Sequence, residues 1–352
     1  ESLVRQYDHE VQALTVGKPF VGCRNDGPSD GAVLRPLHQS LRGIAITHGI
    51  CPWYSNHDTF RMAICAVDEA VRSQVAIGGN PDRMAALDNF CWPDPVSTHS
   101  NPENNHKLAQ LVRAAKGLRE ACLAFRLPLI SGKDSMKNDA VVDGRKISVV
   151  PTLLISLLGI VENISNSVST DFKRAGDKIF VIGPDKGELG ETSYARILAT
   201  KLGVCPSVDL ETAMVRYRLI HYAICAGMIA SAHDISDGGL AVALAESTIG
   251  SRLGAQIDIS RILKSGHISG IGNLDSTKEL RIARTLFSET GGRLIVSVPC
   301  DEADQLKECF KDETIIEIGT VTSGATLTIV NDADHIAIWS VSELVSAWKT
   351  PL

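Results

Sequence analysis

The stretch HDISDGGL, residues 233–240, concentrates polar side chains between two apolar segments. It holds the carboxylates of Asp234 and Asp237, the hydroxyl of Ser236 and a pair of glycines. Paired glycines at a helix start let an anion approach backbone N–H groups at the positive end of the helix dipole. Carboxylates beside such an anion need a cation between them, and Mg²⁺ with oxygen ligands fits. The alternative is structural, because Ser236 or Asp237 would cap a helix starting at Gly238.

Two further acidic residues are candidates for the same chemistry. Asp30 lies in NDGPSDGAVLRPL, a turn-rich segment before a strand, where an ordinary surface turn is the alternative. Glu69 lies on a predicted helix, opposite its apolar stripe, with Ser73 one turn later on the same face. An exposed polar face would explain that position, but Met62, Cys65 and Ala66 flank Glu69, so both readings stay open.

A second polar motif, SGKDSMKND at residues 131–139, follows the strand-like LPLI. Gly132 permits close approach, Lys133 supplies a point charge and Ser135 a hydroxyl, which together suit phosphate contacts. A hairpin turn is the alternative. GELGETSY at residues 187–194 is a weaker motif of the same kind.

No catalytic residue follows from spacing alone. His233 is the histidine that stands beside a polar cluster, and no Ser-His-Asp or Cys-His arrangement can be argued. Bottom-up, the motifs predict a protein that binds a phosphorylated small molecule through carboxylate-held Mg²⁺, with the reaction left open.

Two amphipathic helices must position some of these residues. NHDTFRMAICAVDEAVRSQVAIGG predicts a helix capped by Asn56 or Asp58 and ended by Gly78 and Gly79. PENNHKLAQLVRAAKGLREACLAF predicts a second helix, whose apolar side comprises Leu108, Leu111, Val112, Ala115, Leu118 and Phe125. Strand-like runs precede, separate and follow them, among them GIAITHGI, MAALDNF, KIFVIG and GGRLIVSVP.

Strands and helices mix in both halves without strict βαβ alternation, which favours an α+β fold over a doubly wound sheet. Neither GxGxxG nor GxxxxGK[ST] occurs, so the two common nucleotide loops are absent from the sequence. The polar stretch ENISNSVSTDFKRAGD, residues 162–177, predicts a domain boundary. We therefore expect one domain over residues 1–165 and a second over residues 166–352.

Composition limits the possible partners. The chain has 352 residues, a net charge of −6 and no long Lys/Arg block, so nucleic acid is a poor candidate. The longest apolar run, residues 149–161, is too short to span a membrane and reads as a buried strand. Nine cysteines occur singly, which favours free thiols in the cytoplasm over disulfides or a zinc site.

The assembled motifs resemble one family. RQYDHEVQ, NDGPSDGAVLRPL, GICPWYSNHDTF, AVDEAVRSQVAIGGNPDRMAALDNFCWPDP, SGKDSMKND and HDISDGGL occur in this order. Together they closely resemble the phosphoribosylformylglycinamidine synthases of purine synthesis, from about residue 3 to residue 250 and more weakly beyond. Several long motifs in one order are more specific than any single turn.

The resemblance implies a fold and a reaction. Family members are tandem duplications of a domain pair of the aminoimidazole-ribonucleotide-synthase type, whose N-terminal domains pair around a β-barrel-like centre. This chain resembles the second half; the first half carries the family's catalytic histidines, and glutamine hydrolysis belongs to a separate domain or subunit. The implied reaction uses ATP to phosphorylate the amide oxygen of formylglycinamide ribonucleotide, and ammonia then displaces phosphate.

The resemblance also implies roles for single residues. Asp30, Glu69 and Asp234 match carboxylates that hold Mg²⁺ at a nucleotide, and Ser29 and Ser236 match contacts to that nucleotide. Ser73 stands where the family's metal site has asparagine, so a weaker hydroxyl ligand replaces an amide oxygen. A site shared with the first half is matched by Asp88, Gly132 and Lys133 toward the nucleotide and by Ser135 toward the substrate.

Duplication gives the family two pseudo-equivalent nucleotide sites, one catalytic and one holding ADP and Mg²⁺ structurally. The Asp30, Glu69 and Asp234 set matches either possibility. Two other functions remain: a stand-alone ATP-using relative of the superfamily, and a non-catalytic half stabilised by nucleotide. A homodimer is also expected, because the N-terminal surface that meets the first half would otherwise be exposed and apolar.

Overall fold

The computed structural model describes residues 3–99, 101–102, 104–265 and 277–350. Up to residue 161 its strands are β1 (Thr15–Gly17), β2 (Phe20–Val21), β3 (Gly27–Pro28), β4 (Ala32–Leu34), β5 (Gly43–Ile50), β6 (Met84–Cys91), β7 (Leu129–Ser135), β8 (Asp139–Val142), β9 (Arg145–Ser148) and β10 (Thr152–Val161). The helices of this part are α1 (Thr59–Ala76) and α2 (Asn104–Ala124).

The remaining strands are β11 (Lys178–Ile182), β12 (Ser231–Asp234), β13 (Gly254–Asp258), β14 (Leu294–Val298), β15 (Ile315–Thr322), β16 (Thr326–Asn331) and β17 (Asp334–Ser340). The helices are α3 (Ser193–Ile197), α4 (Leu210–Cys225), α5 (Gly239–Ser251), α6 (Ser260–Ser265), α7 (Lys278–Phe287), α8 (Ala303–Cys309) and α9 (Val341–Lys349). The predicted α+β class is confirmed.

Two large open sheets organise these elements. The first has the strand order β1-β4-β5-β10-β6-β7, antiparallel except for the parallel β6–β7 pair. The second has the order β12-β14-β11-β15-β13-β16-β17. Within the described residues neither sheet closes into a barrel, so the barrel-like centre that the resemblance implies would need a second sheet. The domain boundary between residues 165 and 166 stays a prediction.

Helix α1 lies at the centre of the molecule. The Asp58 carboxylate caps it by accepting from the Phe60 N–H at 2.9 Å, and Gly78 follows its end with a φ of 94°. It packs on β5, β10 and α2 on one side and reaches α4 and β12 on the other. Contact with both sheets buries α1 on nearly every side, so Glu69 and Ser73 do not lie on a solvent face.

The second helix forms as predicted, but its predicted buried face is wrong. Leu108 and Val112 are exposed, whereas small residues face α1. A Cβ on Gly117 would lie 2.4 Å from the Phe60 carbonyl oxygen, so the helices pack too closely for larger side chains there. The Leu118 and Phe125 side chains are buried as expected.

The structure settles the backbone of two motif regions. SGKDS is neither a hairpin nor a loop, because β7 continues through it to Ser135. The segment before HDISDGGL is helical only to Cys225, and residues 231–234 form strand β12. Periodicity alone also did not indicate α6, β17 or α9. The apolar run at residues 149–161 is strand β10, as expected.

At Gly22 and Gly250 the two halves meet main chain to main chain, with no side chain between them. The Cys23 N–H donates to the Gly250 carbonyl at 3.1 Å, and a Cβ on Gly22 would lie 2.0 Å from the same oxygen. Beside this glycine joint the Asp26 carboxylate accepts from Arg252 and Lys349, each at 2.6 Å. Close backbone approach therefore fixes the spacing of the halves.

Among the described residues no helix is both long and apolar enough to cross a membrane.

Candidate functional site

A polar cleft of about 190 Å³ lies between the two halves. We call it the α1–α5 cleft, after the two helices that flank it. Six predicted site residues line it: Ser29, Asp30, Glu69, Ser73, Asp234 and Ser236. The structure thus brings together side chains that lie up to 207 positions apart in the sequence.

Each wall has its own element. Asp30 lies two residues before the start of β4, Glu69 and Ser73 lie one turn apart on α1, and Asp234 ends β12. The chain then turns through residues 235–238 into α5, with Gly238 in the left-handed region at a φ of 80°. That conformation favours glycine and brings the loop back over the cleft.

Both oxygens of the Asp30 carboxylate are held by the second half. Its Oδ1 lies 2.6 Å from His233 Nδ1, and its Oδ2 accepts from the Asp234 N–H at 3.0 Å. The other ring nitrogen, His233 Nε2, lies 2.8 Å from a Glu246 oxygen. Burial raises the pKa of Asp30 to about 6, against the lowering effect of His233. The two carboxylates raise the pKa of His233 well above its usual 6.5, although burial acts the other way.

The closest side-chain contacts of the Asp234 carboxylate are all made by one oxygen, Oδ2. Its Oδ2 accepts from the hydroxyls of Ser236 at 2.6 Å and Ser73 at 3.1 Å, and Arg72 Nε lies 3.3 Å away. Arg72 also pairs with Asp68 and donates to Ser236 at 2.8 Å. A buried guanidinium therefore orients Asp234 and Ser236 together.

Glu69 enters the cleft from α1. Its Oε2 accepts from the Ile50 N–H at 2.8 Å and the Cys51 thiol at 3.4 Å. Burial, reinforced by the charge of Asp234, raises its pKa to about 8. A carboxylate in this state favours a proton or a nearby cation.

The donors fit a hard divalent cation. Asp30, His233 and Asp234 each offer a ligand atom within 4.8 Å of the others. Carboxylate and hydroxyl oxygens from Glu69 and Ser73 line the same cleft, and such oxygens are the ligands Mg²⁺ prefers. Burial is the main cause of the raised pKa values of Asp30 and Glu69, and a bound cation would favour the ionised form of both carboxylates.

The predicted cap of α5 is wrong. The helix begins at Gly239, and neither Ser236 nor Asp237 caps it. Glu289 does this instead, because its Oε1 accepts from the Gly238 N–H at 2.7 Å. The same carboxylate accepts from the Ser193 N–H at 2.9 Å and the Tyr54 hydroxyl at 2.7 Å. The Ser236 hydroxyl therefore contacts Asp234 and Arg72 instead of the start of the helix.

The other four predicted residues lie elsewhere. Asp88, Gly132, Lys133 and Ser135 lie on the parallel pair β6–β7, where Asp88 is opposite Gly132. We call this group the β6–β7 edge. Lys133 donates to the Ser135 hydroxyl, and the β7 side chains are largely exposed. Among the described residues no hydrogen bond or ion pair joins this edge to the α1–α5 cleft, and its predicted roles stay predictions.

Comparison with known proteins identifies the family. The AIR synthase related protein N-terminal domain matches residues 28–161, and the C-terminal domain matches residues 174–331. The chain belongs to the AIR synthase related proteins. Both of their domains are present, in the order expected for one repeat.

Among AIR synthase related proteins, this chain is similar to phosphoribosylformylglycinamidine synthase subunit PurL. It is 30% identical to that subunit from Thermoplasma volcanium over 349 residues, which cover 99% of this chain and 42% of the relative. Identity is also 30% to the Thermoplasma acidophilum subunit, with the same coverage. The resemblance seen in the motifs is confirmed, and the chain spans about two fifths of the length of these relatives.

Solved structures show the same fold. Thermotoga maritima PurL complexed with FGAR superposes with a TM-score of 0.69 at 16% identity, over 93% of this chain and 49% of that one. PurL of the same organism complexed with ATP gives a TM-score of 0.65 at 14% identity, over 100% of this chain and 50% of that one. At these identities the likeness establishes the AIR synthase related fold alone.

Four residues important to the cleft were not found from the sequence: Asp68, Arg72, Glu246 and Glu289. Asp68 and Arg72 carried a weak signal, an acid–base pair four residues apart in a largely apolar stretch of a helix. Glu246 is likewise the one acid in the apolar run AVALAES. Glu289 carried none, because its partners lie 51 or more positions away. In this AIR synthase related chain the missed residues hold the predicted ones in place.

Proposed function

We propose that this chain is a nucleotide-holding half of a phosphoribosylformylglycinamidine synthase. The observation that carries the proposal is the convergence of six matched residues from both halves on the α1–α5 cleft. In the complete enzyme the reaction is formation of formylglycinamidine ribonucleotide from formylglycinamide ribonucleotide, ATP and glutamine-derived ammonia. An amide oxygen is a poor leaving group, and phosphorylation by ATP makes it a good one.

The cleft would hold ATP or ADP together with Mg²⁺. Asp30, Glu69 and Asp234 would hold the metal with Ser73 as a weaker ligand, while Ser29 and Ser236 would contact the nucleotide. Bound Mg²⁺ supplies neutralisation of phosphate charge. The chain's own residues orient the carboxylates, since Arg72 forms an ion pair with Asp234, the Ser73 hydroxyl donates to Asp234 and the Ile50 N–H donates to Glu69.

Nucleotide release tests this proposal directly. Protein purified without added nucleotide is denatured and its supernatant separated by ion-exchange chromatography. We expect ADP or ATP in the supernatant, or else Mg²⁺-dependent binding of added ADP by calorimetry that Glu69→Gln weakens at least about tenfold. Absence of nucleotide in both experiments would contradict the proposal.

Turnover is expected to require partners. The chain spans about two fifths of its relatives' length, and none of its residues is assigned a catalytic role. We propose that a first synthase half and a glutaminase domain or subunit complete the enzyme, and that the β6–β7 edge contributes to the nucleotide and substrate site at that junction. Added to a folded first half and ammonia, this chain should restore amidine formation.

A homodimer is proposed for the isolated chain. The outer face of the first sheet exposes Ile46, Ile50 and Leu158, which favours pairing with a second sheet. Light scattering that gives only monomer mass would contradict this. Free cysteines and the purine-synthesis role support a cytoplasmic location, with neither nucleic acid nor membrane as partner.

A structural role for the nucleotide is the second candidate. Most side chains that line the cleft are joined to one another by hydrogen bonds or ion pairs, and such a site suits a nucleotide that stays bound. In that case Glu69→Ala in the reconstituted enzyme would lower the melting temperature and leave turnover per folded molecule unchanged. A loss of turnover at equal stability would favour the catalytic role.

A further inference from the structure

The His233 side chain bridges the two halves of the molecule. Its Nδ1 lies 2.6 Å from Asp30, which precedes β4, and its Nε2 lies 2.8 Å from Glu246 on α5. The imidazole is 7% exposed. A buried ring held at both nitrogens has one orientation.

Both contacts constrain the protons of the ring. Neutral imidazole has one N–H donor, and ionised carboxylates only accept. Two short contacts to two carboxylates are both hydrogen bonds when each nitrogen carries a proton. His233 then adds a positive charge to the cleft, and Glu246 holds the ring from the side opposite Asp30.

The His233 ring helps to fix the orientation of the Asp30 carboxylate. Its Oδ2 is fixed by the Asp234 N–H and its Oδ1 by His233. Removing the ring would leave one oxygen without its donor, and the carboxylate could rotate about its remaining bond. Groups that orient ligand carboxylates through a second hydrogen bond commonly matter for metal affinity about as much as a weak ligand does.

We propose that His233 and Glu246 are positioning residues: Glu246 orients the imidazole, and the imidazole fixes Asp30 for a divalent cation. This rests on the proposed function, which places the cation there. The competing role is direct ligation by His233, whose ring belongs to the same compact group of ligand atoms as Asp30 and Asp234.

The atoms bound to the metal separate the two roles. The Glu246 side chain is 23% exposed, its described polar contact is with His233, and it also lines the cleft. Positioning predicts weaker metal binding in both His233→Asn and Glu246→Gln, with no His233 nitrogen on the metal. Direct ligation predicts weaker binding in the same two variants, because the carboxylate behind a ligating imidazole also affects metal affinity, but it places the His233 nitrogen on the metal.

The experiment uses the full chain and Mn²⁺ as the probe. Free Mn²⁺ is measured by electron paramagnetic resonance in titrations of wild type, His233→Asn, Glu246→Gln and Glu120→Gln, a control on the exposed face of α2. We expect roughly tenfold or greater weakening in the first two variants and none in the control. Melting temperatures without metal are recorded, because a merely structural role would lower them in proportion.

The outcomes are distinct. If wild type binds no Mn²⁺, the proposed function fails and this inference falls with it. If wild type binds and Glu246→Gln binds equally well, the positioning role is overturned while the proposed function stands. If affinity falls only in step with melting temperature, positioning is likewise overturned. If pulsed electron paramagnetic resonance of Mn²⁺ on wild type shows a directly bound nitrogen, the positioning role is overturned, and misfolding of His233→Asn would not spoil that measurement.

Discussion

The α1–α5 cleft and the β6–β7 edge look alike in sequence and differ in construction. HDISDGGL and SGKDS both combine glycine, serine and charge, and both suit a phosphate. In the cleft, however, Asp234 is buried and held by Arg72, Ser73 and Ser236. At the edge, Lys133 is exposed, and its one hydrogen bond among the described residues is to Ser135. The groups of the cleft are thus held within this chain, whereas those of the edge are largely open to solvent.

The difference has a physical cause. Buried charges must be paired inside the protein, because they have lost water. Exposed charges carry no such requirement, and a strand with free outer groups can meet another chain. Perturbing the cleft should therefore disturb this chain by itself, and perturbing the edge should matter only in an assembly.

The largest contrast is expected from removing one cation in each region. Arg72→Met leaves Asp68 and Asp234 buried without their guanidinium, and we expect a loss of about 3–5 kcal/mol in the free energy of unfolding. Lys133→Met should stay within about 0.5 kcal/mol. Urea denaturation measures the free energy of unfolding of both variants. Comparable losses in the two would contradict the difference drawn between the cleft and the edge.

The next contrast concerns ligand binding. Glu69→Gln keeps the shape and removes a charge from the cleft, so Mg²⁺-dependent ADP binding should weaken at least about tenfold. Stability should hold or rise, since burial already opposes ionisation of Glu69. Asp88→Asn should leave ADP binding by the isolated chain unchanged. Calorimetry that finds equal weakening would assign the edge to the same site.

The dependence of stability on pH sharpens the contrast further. Burial, with the charge of Asp237, raises the pKa of Glu289 from 4.5 to about 7. The folded state therefore binds the proton more tightly, so this contribution is fully present below pH 4.5 and is lost as pH rises through 7. Between pH 5 and 8 wild type should lose about 2–3 kcal/mol more than Glu289→Gln. If the denaturation midpoints of wild type and Glu289→Gln change in parallel across that pH range, the prediction is contradicted.

The smallest effect is expected at the edge itself. A Cβ on Gly132 would lie 2.7 Å from the Asp88 Oδ1 atom. The contact is with the end of a side chain that can rotate, so Gly132→Ala should cost below about 1 kcal/mol. Activity of a reconstituted enzyme is the more sensitive measurement, and an unchanged rate there would remove Gly132 from the shared site.

Local sequence signals predicted the elements better than their packing. The period of α1 and its Asp58 cap are local, and both are confirmed. The face of α2 was wrong because the spacing of leucines does not show that Gly117 lies against the Phe60 carbonyl. Likewise the cap of α5 comes from Glu289, which no nearby residue reveals. The carboxylates of the cleft could be named from their motifs, but the hydrogen bonds that orient them depend on long-range contacts.

The glycine joint limits how the cleft can be reshaped. Gly22 and Gly250 approach through main chain, so a side chain on Gly22 would push the two segments apart rather than adjust their spacing gradually. On this backbone the room in the cleft therefore depends on the lengths of the lining side chains, and the short Ser73 leaves more space than an amide side chain would.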